Sequence, residues 1–296
     1  MISVIIPARN EEKNLPELLE SLKHQTYKKK FEIVVVDGKS KDKTREIARS
    51  YGCKVIVQKK LGISSARNLG WKKAKGDVLI FLEADHIIDR NFIKNVEKAF
   101  KNKEVKCARP IVIPIQKNWI QKALAVQIEL ATRRQKAWEF PTIFRKEVLQ
   151  KTGGWDEKIN FAEDRELPMR IKKLGYKTSL IKNAIVYAKP VDSFSRLIKE
   201  GRWYGKNIFG YFRKTKDFVT LAGVLLYSSF IPLFLLSFLN KIFLFLFVFA
   251  FLILFGYSLK GFLITKNFYS FLIIPINMVR GFGELIGLVE SLFGKR

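Results

Sequence analysis

The sequence predicts an α/β protein that carries a C-terminal helical membrane segment. Short β-branched runs recur along the first half, with helix-like patterns between them. The ends of those runs are rich in polar and acidic residues. The last quarter holds two apolar runs without a charge. The predicted strands are Ile2–Ile6, Phe31–Val36, Lys54–Val57, Val78–Leu82 and Val105–Ala108. Asn14 is placed as the N-cap of the first helix, with Pro16 and Glu17 in its first turn and Leu18, Leu19 and Leu22 on one face. Thr44–Tyr51, Ser64–Ala74 and Asn91–Phe100 follow as helices. Strand–helix alternation with apolar strands implies a parallel sheet covered on both faces.

The chain has 296 residues, 54 Lys+Arg against 27 Asp+Glu, and a formal charge of +27. Its apolar content of 48% excludes a disordered chain. Two cysteines, Cys53 and Cys107, exclude a disulfide scaffold and read as reduced core residues. Charge is divided unevenly. Residues 218–296 hold 6 basic and 2 acidic side chains, and the remainder lie before them.

Phe218–Asn240 and Ile242–Leu259 are uncharged, and each matches the length a helix needs to cross hydrocarbon. They form a tight hairpin around Lys241. Arg196, Lys199, Arg202, Lys206, Arg213, Lys214 and Lys216 precede the hairpin, so the positive-inside rule puts residues 1–217 in the cytoplasm. Residues 191–217 carry apolar side chains at helical spacing between basic ones, which predicts an amphipathic helix at headgroup level. Residues 261–296 are interrupted by Lys266, Pro275, Arg280, Glu284 and Glu290. They read as an interfacial helix or a third membrane segment, with Lys295 and Arg296 kept inside. The basic excess then points to membrane lipids, and no nucleic-acid motif accompanies it.

In parallel sheets ligands bind beyond the carboxyl ends of the strands. Those ends carry Pro7-Ala8-Arg9-Asn10-Glu11-Glu12, Asp37-Gly38-Lys39-Ser40 and Glu83-Ala84-Asp85. No GxGxxG follows the first strand and no GxxxxGK[ST] occurs, so a glycine cradle for phosphate is unsupported. Acidic side chains at one strand end can hold a divalent cation that bridges phosphate oxygens. On a strand-like segment, Glu83 and Asp85 point the same way. Alone, Asp37 reads equally as a turn residue, and Glu163-Asp164 as a helix start.

Together, SVIIPARNEEKNLPELLESL, EIVVVDGKSKDKT, GISSARNLGWKKAKGDVLIFLEAD and GGWDEKINFAEDREL resemble family 2 glycosyltransferases over roughly residues 1–190. The resemblance implies the GT-A fold, a Rossmann-like mixed sheet with helices on both faces. It implies a nucleotide-sugar half over 1–105 and an acceptor half over 106–190, which the amphipathic region 191–217 and the transmembrane hairpin 218–260 follow. It places Pro7, Ala8, Arg9 and Glu11 in the nucleoside pocket and Asp37 at the base. Arg67 falls near the donor diphosphate, Glu83 on ribose or sugar, and Asp85 on a metal, Mg2+ or Mn2+. Asp164 matches the general base with Glu163 beside it. Trp155 reads either as an acceptor-stacking ring or as a core tryptophan. Lys199-Glu200-Gly201-Arg202-Trp203 partly matches a processive-synthase signature, which makes Arg202 and Trp203 candidate acceptor contacts. The implied activity moves a sugar from a UDP- or GDP-sugar to a hydroxyl of a lipid-linked acceptor. Transfer to a polyprenyl phosphate, or nucleotide-sugar binding without catalysis, are the competing readings. Two departures stand out. Asp37-Gly38 replaces Asp-Asp-Gly, and Glu83 replaces the first Asp of Asp-x-Asp.

Overall fold

The protein is described from a computed structural model covering residues 1–133, 141–159 and 161–293. The chain divides into two compact units, Met1–Ile113 with Lys136–Ala188, and Pro114–Gln135 with Lys189–Arg296. Lys295 and Arg296 lie outside the described residues.

The first unit runs β1 (Ile2–Ala8), α1 (Leu15–Lys23), β2 (Glu32–Asp37), α2 (Thr44–Ser50), β3 (Lys54–Val57), α3 (Ile63–Lys73), β4 (Val78–Phe81), β5 (His86–Ile88), α4 (Phe92–Phe100) and β6 (Cys107–Pro114). The second unit then contributes α5 (Trp119–Arg133). The first resumes with β7 (Ile143–Arg145), α6 (Lys146–Thr152), α7 (Glu163–Lys173) and β8 (Thr178–Ala188). The eight strands form one sheet in the order β3-β2-β1-β4-β7-β6-β8-β5.

Strands β3, β2, β1 and β4 are parallel, whereas β7 runs antiparallel to β4 and to β6. The expected parallel sheet is therefore half of a mixed one. The antiparallel half escaped the sequence pattern because β5 and β7 have three residues each, too few to show alternation. The predicted strand at Val105–Ala108 starts at Cys107 and runs on to Pro114.

Alternate residues of β1 supply two cores. Val4 and Ile6 join Leu15, Leu18, Leu22, Phe92 and Val96 on one face. Ile5 joins Ala66, Trp71, Phe144, Leu149 and Trp155 on the other. Helices thus cover both faces. Both cysteines are buried thiols outside any disulfide, and burial pushes the Cys53 thiol up to about 11. Asn14 is the N-cap of α1 by position, but its side chain does not cap. Its Nδ2 donates instead to Glu11 Oε2 at 2.9 Å.

One side chain closes the second core. Asn68 on α3 donates to the Trp155 carbonyl at 2.7 Å and accepts from the Trp155 N–H at 2.9 Å. Trp71 Nε1 donates to the same Asn68 oxygen at 3.1 Å. Gly154, at φ 75°, makes this possible. A Cβ there would lie 2.4 Å from Asn68 Oδ1 and 2.7 Å from Trp71 Nε1.

The second unit is helical. It holds α5, α8 (Phe194–Thr215), α9 (Phe218–Ser237), α10 (Lys241–Thr265), a short 3₁₀ turn at Phe268–Ser270 and α11 (Ile273–Phe293). Leu197, Gly201, Gly205, Ile208 and Tyr211 form the buried stripe of α8, at the spacing of an amphipathic helix. Asp217 caps α9, accepting from the Thr220 N–H at 3.1 Å. Asn240 caps α10, accepting from the Ile242 N–H at 2.8 Å. Three segments, Phe218–Ser237, Lys241–Thr265 and Phe268–Phe293, are long and apolar enough to cross a membrane.

Gly154→Ala is expected to lower stability by about 2 kcal/mol or more, because the residue must adopt a left-handed backbone and displace the Asn68–Trp71 pair. Chemical unfolding measures it, and an unchanged midpoint refutes this account of the Trp155 loop.

Candidate active site

The carboxyl ends of β1 and β2 are in register, with Ala8 opposite Asp37. The two loops that leave them are knitted by side chains. Asn10 N–H donates to Ser40 Oγ at 2.9 Å, Glu11 N–H to Thr44 Oγ1 at 2.8 Å, and Glu12 N–H to Asp42 Oδ2 at 3.1 Å. In return, Lys41 N–H donates to Asn10 Oδ1 at 2.9 Å and Lys43 N–H to Glu12 Oε2 at 3.1 Å. Five backbone donors that no strand or helix satisfies are paired in this way.

Asp37 lies at the end of β2 with its side chain fully buried. Its carboxylate accepts from the Ser40 N–H at 3.2 Å and lies 3.8 Å from Arg45 Nε. In this position it anchors the turn that shapes the loop. Pro7 and Ala8 are buried in β1, and Arg9 is exposed just beyond it. Gly38 fits closely against that arginine, since a Cβ there would lie 3.1 Å from Arg9 Cβ.

The centre of the site is Arg67 on α3. Its Nη2 donates to Glu83 Oε1 at 2.6 Å and its Nη1 to Glu163 Oε1 at 2.7 Å. Its side chain is 11% exposed, and the Glu163 side chain 9%. The guanidinium lies 5.6 Å from the centre of the Trp155 ring. Burial works against the charge on Arg67, but the two carboxylates outweigh it and hold its pKa above the ordinary value. Burial likewise pushes the Glu83 carboxyl up, while Arg67 and His86 outweigh that and hold it below the ordinary range.

Glu83 and Asp85 do not sit on a strand. β4 ends at Phe81, and Glu83–His86 is a tight turn closed by His86 N–H on the Glu83 carbonyl at 3.1 Å. The period-two alignment expected of the two carboxylates therefore does not apply. Glu83 faces Arg67, and Asp85 occupies the turn. His86 Nδ1 accepts from the Glu83 N–H at 3.2 Å, so this histidine helps to hold the turn.

Helix α7 begins at Glu163 after Ala162, whose φ is 52°. Its first turn carries three acidic residues with different surroundings. Glu163 is buried against Arg67. Glu166 pairs with Arg170, which also donates to the Thr152 and Gly154 carbonyls at 2.5 and 2.7 Å. Asp164 is exposed. Surrounding protein displaces water from it and pushes its carboxyl up. Glu163 adds to the push, while Arg67 and Arg165 oppose it. Water at the exposed side chain screens these effects. The helix start and the acidic pair are thus the same feature.

Trp155 is 5% exposed and packs edge-on against Phe81 and Phe144, with ring centres 4.6 and 5.8 Å away. The ring is a support beneath Arg67 and offers no open face for stacking an acceptor. Arg202 and Trp203 belong to the helical unit. Arg202 pairs with Glu290 there, and Trp203 is 42% exposed. The structure brings together Arg67, Glu83, Glu163, Asp164 and Trp155, and the knitted loops gather Ala8, Glu11 and Asp37. Sequence reading gave no role in the site to Asn68, Ser40 or Thr44. The last two were legible only as short polar residues after a strand, and Asn68 only as the neighbour of Arg67.

A family model described as Glycosyl transferase family 2 matches residues 3–159. A probable glycosyltransferase, YdaM of Bacillus subtilis (strain 168), is 28% identical over 217 residues, covering 65% of this chain and 51% of that protein. A dolichol-phosphate mannosyltransferase of Pyrococcus furiosus is 40% identical over 106 residues, 34% of this chain and 30% of that protein. The chain thus spans about half of the length of one of these curated relatives and about a third of the other. Among solved structures, the mannosyltransferase PcManGT from Pyrobaculum calidifontis in complex with GDP-Man and Mn2+ superposes with a TM-score of 0.60 at 18% identity. That match covers 100% of this chain and 88% of that one. S. aureus TarS 1-349 in complex with UDP superposes with a TM-score of 0.52 at 24% identity, covering 70% and 65%. At these identities the structures speak for the GT-A fold. With the family model spanning more than half its length, the chain belongs to glycosyl transferase family 2.

Proposed function

We propose that the protein is a membrane-bound, inverting glycosyltransferase that moves a sugar from a nucleoside-diphosphate sugar to a hydroxyl of a lipid-linked acceptor. The observation that carries the proposal is the Arg67 bridge, which ties the turn bearing Glu83 and Asp85 to the start of α7 bearing Asp164. A donor-side group and an acceptor-side base are thereby joined through one cation.

The loops after β1 and β2 supply the shape for the nucleoside, with Arg9 and Glu11 at their rim. The donor diphosphate meets Arg67. The acceptor hydroxyl is a poor nucleophile until a base takes its proton, and that task falls in this reading to Asp164, which is exposed. The acceptor oxygen then bonds to the anomeric carbon from the face opposite the diphosphate. The carbon–oxygen bond to the diphosphate breaks, the nucleoside diphosphate leaves with the electron pair, and the proton stays on Asp164. Glu163 is committed to Arg67 and serves as a positioning residue beside the base.

The residues present fit a divalent cation supplied together with the donor. Among the described residues no group of three or more His, Cys, Asp or Glu side chains forms a metal cage. Mg2+ commonly binds through one or two carboxylates plus substrate phosphates, a set that Asp85 and a donor diphosphate would complete. Bound there, Mg2+ or Mn2+ would stabilise negative charge on the departing diphosphate. PcManGT, the neighbour of similar fold, is a complex with Mn2+.

One observation favours a second reading. The Pyrococcus furiosus relative is named for dolichol phosphate. A polyprenyl phosphate acceptor is already ionised and has no proton for Asp164 to take.

Asp164→Asn separates the two. It is expected to lower transfer to a hydroxyl by about 10²-fold or more while nucleotide binding persists. Undiminished transfer to a hydroxyl refutes the base assignment, and selective survival of transfer to polyprenyl phosphate establishes the second reading. The pH profile of the intact protein gives an independent check. A base must be deprotonated, so kcat/KM should fall on the acid side, with an apparent pKa above the ~3.9 of a free aspartate. An acid limb unchanged in Asp164→Asn contradicts the assignment. Treatment with EDTA should abolish transfer from a UDP- or GDP-sugar panel, and Mn2+ should restore it. Full transfer in EDTA rules out the cation.

A further inference from the structure

Beyond the carboxyl ends of β1, β2 and β3 the backbone ladder runs one step further. Gly38 N–H donates to the Ala8 carbonyl at 2.8 Å, and Gln58 N–H to the Asp37 carbonyl at 2.9 Å. Ala8 is paired with Asp37, and Asp37 with Val57. Arg9, Gly38 and Gln58 are therefore neighbours in one cross-strand row, and the side chains of such a row share a face. The glycine is the middle of the row. A Cβ on it would lie 3.1 Å from Arg9 Cβ, 3.3 Å from Arg9 Cδ and 3.2 Å from Gln58 Oε1. The missing side chain leaves a narrow slot, walled by the arginine stem on one side and the glutamine amide on the other.

Gln58 turns an oxygen toward that slot. The residue is 4% exposed. Its Nε2 donates to the Lys60 and Gly62 carbonyls, both at 3.0 Å, and a carbonyl only accepts, so the amide is held in one orientation. Among the described residues no donor reaches Oε1. The orphan side-chain atoms sealed inside the described protein are Ser258 Oγ, Asn277 Nδ2 and Glu284 Oε2, so Gln58 Oε1 keeps an opening. A fixed acceptor left without a donor is costly, and a ligand that brings the donor removes the cost.

Asp37 does not compete for that ligand. Its side chain is fully buried and its two oxygens share the Ser40 N–H. The slot also faces the side of the sheet that α3 covers. Ile5, Val36 and Ile56, on the same face as the row, pack with Ala66 of α3. Gly62, whose carbonyl holds the Gln58 amide, is the N-cap of α3. Arg67 follows five residues on, about 7–8 Å along the helix axis. Glycine lets a flat ring approach the backbone closely, and Arg9, exposed at the rim, brings donors for a ring carbonyl.

On the nucleoside-diphosphate reading above, we infer that the slot over Gly38 holds the nucleobase of the donor and that Gln58 Oε1 accepts from its ring N–H, the N3–H of uracil or the N1–H of guanine. Each of these N–H groups adjoins a ring carbonyl, and Arg9 supplies the donor for it. Base recognition thus falls to Gln58, where the family resemblance expects Asp37. The departure at Asp37-Gly38 gains a reason, because any side chain at position 38 would stand in the slot.

The test measures nucleotide affinity of the full chain in nanodiscs by calorimetry with Mn2+, using UDP, GDP, N3-methyl-UDP and N1-methyl-GDP. Whichever parent binds, its methylated form is expected to bind about tenfold or more weakly, because the methyl removes the donor and leaves Oε1 unpaired. Gln58→Ala should weaken the parent and shrink the gap between parent and methylated nucleotide to about twofold or less. Gly38 lies outside the left-handed region, so Gly38→Ala adds no backbone strain and keeps the hydrogen bonds of the loops. Its methyl should weaken the parent nucleotide by about tenfold, and unchanged affinity overturns the slot. Equal binding of parent and methylated nucleotide by the intact protein overturns the inference and leaves the donor reading standing. A gap that survives in Gln58→Ala and closes in Asp37→Asn overturns it likewise, since Asp37 is then the reader. Failure of both UDP and GDP to bind overturns the donor reading and the inference with it.

Discussion

A buried cation shared by two carboxylates sets the geometry on which the candidate site depends. Arg67 reaches Glu83 on one side and Glu163 on the other, within a core closed by Trp155. Bringing a guanidinium out of water is costly, and so is burying Glu163. The arrangement holds because each neutralises the other at hydrogen-bonding distance. Removing one partner from such a buried pair leaves an uncompensated charge, which costs about 3–5 kcal/mol. The bridge therefore acts as a positional constraint. Helix α3 and the turn after β4 are near in the chain and the first turn of α7 is far from both, and Arg67 specifies how the three meet.

The same cluster reverses the charge of the whole. The chain carries +27, yet the segments around Arg67 present Glu83, Asp85, Glu163 and Asp164. A diphosphate approaching four acidic side chains and one committed guanidinium meets repulsion unless a cation travels with it. The basic excess belongs elsewhere, on the exposed face of α8 and across the surface of the first unit. The basic excess and the acidic cluster thus lie on different parts of the chain.

The parallel strands of the fold were legible because they are apolar, β-branched and spaced by helices. The strands β5, β7 and β8 were not. The first two are too short to carry a period, and β8 alternates around Lys182 and Asn183 without a clean apolar face. For the site, residue types revealed which side chains carry chemistry, and the family resemblance ordered them. Neither could show that Glu163 is committed to Arg67 while its neighbour Asp164 is open, because that depends on the left-handed turn at Ala162. Trp155, open in sequence to an acceptor-stacking or a core role, packs in the core. An aromatic ring after two glycines looks the same in sequence whether it faces a ligand or the core. Asn68 was invisible because its partners are backbone atoms of Trp155, far along the chain.

The join between α9 and α10 is Phe238, Leu239 and Asn240, with Phe238 and Leu239 largely exposed. Where those helices pass through a bilayer, three residues are all that the hairpin offers the opposite leaflet. They cannot fold into a vestibule or grip an oligosaccharide.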